Sequence, residues 1–353
     1  MFRRLIHLAV VVVATALTAL TALTPAALAG TANAGLPGAK ANPLAHMSWG
    51  VPSDDDLWAA YQSASGENHT LLGRLALRPR AIWLGTWNKV SQVKQATRQA
   101  VAGSQNRNPK ALVQLATFEL SPWEGQTAGG SWDVATDESW YRNLAAGIGN
   151  ARALVVEQID LPFTLKTSSR EPERIDTYGA KVLSARRHTN VYLDAGTHGW
   201  WTPRQAAREL VANGIRYARG FSLDDTDYDS TAVELKFGAQ VIAALARDGV
   251  HGKHFIVNTD ENGQPYTAKQ ASGSGSNINS TPMCHGTVQT VCQRTGIPPT
   301  TNVTAARWHL GRSAAKLAKK DCDGYVWVGR PWNINGGPFD TQNALWLAAN
   351  GKY

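Results

Sequence analysis

NVYLDAGTHGWWTPRQAARELVANGIRYARGFSL, residues 190–223, holds one complete repeat of the fold. VYLD (191–194) is a short apolar run ending on an acid. Thr202-Pro203-Arg204-Gln205 sets a capping threonine ahead of a first-position proline and a glutamine at the third helical position, the signature of a helix start. Gly214 is placed to end that helix, and a second apolar run, GFSL (220–223), follows directly. Strand, helix and strand in this order form a βαβ unit, whose strands are parallel.

The same alternation runs outward in both directions. Strands are expected at 81–84, 111–117, 153–157, 191–194, 220–223, 254–258 and 325–328, all short and mostly apolar, as strands buried on both faces must be. Helices are expected near 89–102, 138–148, 171–187, 304–318 and 341–349. A further helix opens at Thr231-Ala-Val-Glu234, read as a second capping box. The class is therefore α/β with about seven parallel strands. A doubly wound sheet gives the same alternation, so periodicity alone does not close a barrel. Residues 267–303, with SGSGSN, Cys284, Cys292 and PPTTN, form a long irregular stretch after HFIVN, placed to wall a groove.

Arg3 and Arg4 precede an apolar run that ends at Ala27-Leu28-Ala29, the pattern of an export signal. The expected organisation is a signal peptide over 1–29, a flexible Gly/Ala-rich lead-in over 30–42 and a single catalytic domain over 43–353, secreted to the extracellular space. The net charge of +8 is scattered rather than clustered and accompanies no nucleic-acid motif, so neither nucleic acid nor, after cleavage, a membrane is an expected partner. A monomer is expected. The chain has 3 cysteines, which suits one disulfide and one spare thiol in an exported protein. Cys284 with Cys292, or Cys322 with either, all remain open as pairings. No spacing matches a metal site, and no cofactor is expected.

The chemistry sits where the strands end. In a parallel barrel the loops at the carboxyl ends of the strands build the active site. Here those ends carry Glu157 and Asp160 (VVEQID), Asp194 with Trp200 and Trp201, Asn258, and Trp332 with Asn335. Carboxylates, amides and indoles without a nucleotide loop are the wall chemistry of a carbohydrate site. Glycosidic cleavage uses one carboxylic acid to protonate the leaving oxygen and, usually, a second carboxylate.

NPLAHMSWGVPSDDDLWAAYQ, AIWLGTW, VVEQID, VYLDAGTHGWW, KHFIVNTDENG, PPTTN and YVWVGRPW follow one another in an order that resembles glycoside hydrolase family 6, the β-1,4-glucanases and cellobiohydrolases. The resemblance covers residues 42 to 350. It implies a distorted barrel of seven parallel strands, inversion, secretion and no metal. Carried over residue by residue, it implies Asp160 as general acid, although an ungapped alignment sets Ile159 at that position. Glu124 falls at the place of the family's second loop acid. The resemblance also implies substrate-binding roles for Trp83, Asp194 and Trp200, and the strand-end reading adds Asn258, Trp332 and Asn335. Asn335 stands where the family carries its proposed base, which leaves three explanations: another carboxylate such as Asp340 or Glu124 serves, the water is relayed, or catalysis is weak. The reading is a secreted hydrolase cleaving β-1,4-glucosidic bonds. The alternatives are a non-catalytic carbohydrate-binding protein on the same scaffold, and a cell-wall enzyme with another polymer as substrate.

Overall fold

The computed structural model describes residues 41–106, 108–119, 133–159, 169–273, 281–286, 288–333 and 337–353. The expected signal peptide and most of the lead-in lie outside them. The described chain begins with two helices that the pattern had not signalled, α1 (Asp56–Ser63) and α2 (Gly66–Ala76). The Asp55 side chain caps α1 and also forms a two-pronged pair with the buried guanidinium of Arg80, at 2.6 and 2.7 Å. That pair ties the helical entry to the first strand.

Seven parallel strands then alternate with helices: β1 (Ala81–Gly85), β2 (Val113–Phe118), β3 (Ala153–Glu157), β4 (Thr189–Asp194), β5 (Gly220–Leu223), β6 (His254–Asn258) and β7 (Cys322–Val326). Each pairs with its sequence neighbours, in the order β1 to β7. The Ala81 N–H donates to Trp327 O at 2.9 Å, so the two outer strands also meet. This contact settles what periodicity left open: the sheet curls into a distorted barrel.

The connecting helices are α3 (Val90–Gln105), α4 (Val134–Ile148), α5 (Glu171–Ser184), α6 (Pro203–Ala212), α7 (Thr231–Arg247), α8 (Ala268–Gly273), α9 (Arg312–Asp321) and α10 (Thr341–Asn350). The capping box on α6 is present in both directions, Thr202 accepting from Gln205 N and Gln205 from Thr202 N. On α7 the cap is one residue earlier than expected: Ser230 Oγ accepts from Val233 N, and Thr231 is the first helical residue. The helix expected at 304–318 is broken, because His309 takes a left-handed φ of 52° and Gly311 restarts the chain as the cap of α9. β7 starts three residues before the expected 325 because Asp323 is drawn inside by Arg219.

Side-chain alternation along the strands builds two cores. Ala81, Ala116, Leu154, Val156, Tyr192, Ile256, Val326 and Val328 fill the barrel interior. Val113, Leu115, Val155, Val191, Leu193, Phe221, Phe255 and Val257 face the helices. At the amino-terminal end of the barrel a polar plug replaces apolar packing. Arg219 donates to both oxygens of Asp323, at 2.8 and 3.0 Å, and Tyr192 OH donates to the same carboxylate at 2.8 Å. Cys284 and Cys292 are disulfide-bonded, with Cα atoms 4.9 Å apart, and Cys322 is free and buried.

Breaking one side of a buried pair leaves an uncompensated charge, whereas replacing both sides with packed apolar groups removes the problem. Asp323→Ala is therefore expected to lower unfolding free energy by about 3–5 kcal/mol. The double variant Arg219→Met/Asp323→Leu should recover most of that loss, as read from urea midpoints.

Candidate functional site at the carboxyl end of the barrel

Strand parity decides which residues reach the barrel mouth. On β4, Tyr192 lies in the interior core, so Asp194, two residues on, points the same way and sits at the rim with 9% exposure. Its Oδ1 accepts from Gly196 N at 2.9 Å. On β3 the parity runs the other way for Glu157, one of the two acids read at that strand end. Glu157 pairs in register with Leu193 and faces the helix layer, where a Cβ on Gly179 of α5 would overlap its Oε1. Burial holds its carboxyl well above the usual range, so it is a neutral acid between sheet and helices.

Ile159, next to the expected donor Asp160, is 3% exposed and packs in the outer core. Asp160, Glu124 and Asn335 lie outside the described residues. Asp340, the other candidate base, caps α10 by accepting from Asn343 N at 2.8 Å.

Three expected sugar-binding groups prove to be structural or partly so. Asn258 is fully buried; its Nδ2 donates to Asp224 O at 2.9 Å and its Oδ1 accepts from Val328 N at 2.9 Å. Trp332 is 4% exposed and packs with Leu57, Leu72 and Leu347, which leaves little indole surface for a sugar. Trp83 is half-buried in the middle of β1, against the interior core. Its Nε1 donates to Val328 O at 2.6 Å, and the Arg330 guanidinium lies 5.1 Å above its ring. Trp200 lines an open cavity of about 430 Å³ with His198, Asp227, Tyr228, Tyr266 and Lys269. Tyr228 and Tyr266 stack at 4.7 Å, and His198 Nδ1 lies 3.1 Å from Asp229 Oδ2. The Trp200 indole beside ionisable groups can meet both the apolar face of a ring and its hydroxyls, whereas Tyr228 and Tyr266, each 3% exposed, offer little ring surface.

The sequence reading missed a belt of acids at the ends of β5 and β6. Asp224, Asp225, Asp260 and Glu261 are all buried there, as is Glu234 on α7. Asp224 takes a left-handed φ of 65° and accepts from Thr197 Oγ1 and Asp229 N, each at 3.1 Å. Glu234 Oε1 accepts from His198 N at 2.9 Å, and burial pushes its carboxyl up to about 8. Burial also raises Asp260 to about 8, although Asn258 Nδ2 donates to it at 2.7 Å. Glu119, just past β2, rises to about 9 through burial and the nearby Asp137. The signal was present as DDTDYD directly after GFSL and TDENG directly after HFIVN. Among the described residues no group of three His, Cys, Asp or Glu is arranged to hold a metal ion.

These acids bind protons more tightly folded than unfolded, so their contribution to stability is complete below the ordinary carboxylate pKa and declines as pH rises towards 8–9. His254, whose imidazole is held low by burial, and Lys253, lowered to about 7 by burial, act in the opposite sense, but the lysine only above its own value. The urea midpoint is expected to fall between about pH 5 and about pH 7. The slope should flatten in Glu119→Gln and Asp260→Asn.

The sequence profile described as glycosyl hydrolases family 6 matches residues 52–338. Endoglucanase A of Cellulomonas fimi is 30% identical over 212 residues, covering 58% of this chain and 44% of that protein. Endoglucanase 1 of Streptomyces halstedii is 28% identical over 256 residues, covering 69% of this chain and 79% of that protein. The aligned stretch thus spans less than half of the first relative. Among solved structures, the endoglucanase Cel6 of Mycobacterium tuberculosis, in complex with a methyl-cellobiosyl-4-deoxy-4-thio-β-D-cellobioside, superposes with a TM-score of 0.66 at 22% identity, covering 88% of this chain and 99% of that one. The catalytic domain of Cellulomonas fimi Cel6B gives 0.64 at 15% identity, covering 89% and 96%. With a seven-stranded distorted barrel and a profile match across most of its length, this chain belongs to glycosyl hydrolases family 6.

Proposed function

We propose that this chain is a secreted hydrolase of β-1,4-linked glucan that acts with inversion, with Asp160 as general acid and Glu124 as the carboxylate that modulates it. Family membership over residues 52–338 carries the reading. It is supported by relatives named endoglucanase and by a structural neighbour solved with a thio-linked cello-oligosaccharide. The mouth of the barrel fits the chemistry. Asp194 stands at its rim, Trp83 is half-buried on one side, and the cavity carrying Trp200 and the Tyr228–Tyr266 stack is large enough for sugar rings.

In this reading Asp160 gives its proton to the glycosidic oxygen as the bond to the anomeric carbon breaks, and water attacks from the opposite face. The donor has to remain protonated near neutral pH, which a burial-dominated, acid-rich mouth favours. Export rests on the Arg3-Arg4 and apolar leader, and among the described residues no helix is long and apolar enough to cross a membrane. The protein works alone, with the polysaccharide as its partner.

Reducing-end release from swollen cellulose, mixed-linkage β-glucan, xylan and mannan tests the reading. Asp160→Asn is expected to lose about a hundredfold or more on the best glucan. A folded wild type that binds glucan and releases nothing would instead be the carbohydrate-binding protein. Trp200→Ala is expected to weaken cellotetraose binding about tenfold, near 1.4 kcal/mol, in a calorimetric titration.

A further inference from the structure

Trp87 stands two residues past the end of β1 and is 52% exposed. Among the described residues, the other large apolar side chains left strongly exposed are Leu77, Tyr217, Val288 and Tyr353, and none of them directly follows the carboxyl end of a strand.

Sheet geometry fixes where the Trp87 ring lies. Ala81 and Trp83 face the barrel interior, and alternation puts Gly85 on the same face, about 6.6 Å further towards the mouth than Trp83. Gly85 has no side chain to fill that place. A Cβ there would come within 2.7 Å of Trp87 Cζ3 and 2.8 Å of Trp87 Cη2, besides 2.5 Å of Phe118 O. The six-membered ring of Trp87 therefore lies across the inner face of the strand end, outward of Trp83 on the same wall.

The turn that carries this ring is held at both ends. Asn88 N donates to Gly85 O at 2.7 Å, and Gly85 N donates to Asn88 Oδ1 at 3.2 Å. Thr86 N donates to Phe118 O at 3.0 Å, and Trp140 Nε1 of α4 donates to Asn88 O at 2.8 Å. Turns favour Gly, Pro, Asn, Asp and Ser, and an indole left in water forgoes the gain of burial. A rigid ring on a fixed turn is also preorganised, since little freedom remains to be lost on binding. Trp83 supplies less surface, being half-buried with the Arg330 guanidinium 5.1 Å from its ring centre.

We propose that Trp87 is the stacking platform of an outer subsite, where it takes the apolar face of one sugar ring of a β-linked glucan chain that continues past Trp83 into the barrel mouth. The proposal deepens the glucan-hydrolase reading and rests on it. A pyranose packs its C–H face on an aromatic plane while its hydroxyls stay in water, which suits an indole at the rim.

Titration calorimetry with cellotriose and cellohexaose tests the subsite. Trp87→Ala is expected to weaken cellohexaose binding about tenfold and cellotriose binding by about twofold or less, because only the longer chain reaches the rim. Trp87→Phe, which keeps an aromatic face, should hold cellohexaose to within about threefold of wild type. The excess acrylamide quenching of wild type over Trp87→Phe isolates the fluorescence of this indole, and saturating cellohexaose should abolish it. Undiminished cellohexaose affinity in Trp87→Ala, or a quenching difference that survives saturation, overturns the subsite and leaves the glucan reading standing. Equal losses in Trp87→Ala and Trp87→Phe with lowered urea midpoints assign the effect to the turn and overturn it as well. A folded wild type that binds neither oligosaccharide removes the glucan reading and the subsite with it.

Discussion

A barrel of parallel strands that opens at its mouth leaves strand-end backbone groups without ladder partners, and buried backbone groups do not go unpaired. In this chain the Asn258 amide fills that gap. It accepts from Val328 N, beyond the end of β7, and donates to Asp224 O, beyond the end of β5. Trp83 completes the ring by donating to Val328 O from β1. The backbone past the ends of β5 and β7 is thereby held by two side chains. Asn258 looked like a sugar-binding group from its place at a strand end, and Trp83 from the family resemblance. Asn258 is wholly committed to this structural work, whereas Trp83 gives it one edge and retains part of its ring surface.

With the mouth fixed in this way, the acids beside it are held where water does not reach. Asp224 is drawn into its left-handed turn by Thr197 Oγ1 and Asp229 N, and Asp225 beside it accepts from the Ser222 hydroxyl of β5. A left-handed backbone at a non-glycine residue is favoured mainly for Asn and Asp, whose short polar side chains bond locally. The strain is small and the hydrogen bonds around Asp224 offset it. The result is a set of neutral, buried carboxyl groups within a chain whose overall charge is +8, so the basic surface and the acidic interior are separate features. Affinity for an acidic polymer would belong to the first and acid chemistry to the second.

The strands were legible because burial on both faces demands unbroken short apolar runs, and GFSL and HFIVN sit at the expected residues. The α6 start was equally plain, since a capping box is a local device that needs no tertiary context. The helices of the entry, α1 and α2, were not, because α1 depends on Asp55 meeting Arg80 across 25 residues. The direction of Glu157 was readable in principle: strand parity sets it on the same face as Val155, in the outer core, away from the mouth. Trp332 failed as a platform for a related reason. Its neighbours Leu57 and Leu72 belong to the entry helices, so the cover that buries it was missing from the reading.

Two acids read from the strand ends and loops take structural places: Asp340 is spent as a helix cap, and Glu157 faces the helix layer. The ends of β5 and β6 carry Asp225, Asp260 and Glu261, all buried. Burying a carboxyl without a full set of partners is unfavourable, and a stable fold keeps such groups where they serve a site. Asp225 and Asp260 each retain a buried oxygen that no donor satisfies. Buried acids are therefore concentrated around β5 and β6, while the acids that line the cavity carrying Trp200 are Asp227 and Asp229, a few residues further along the same loop.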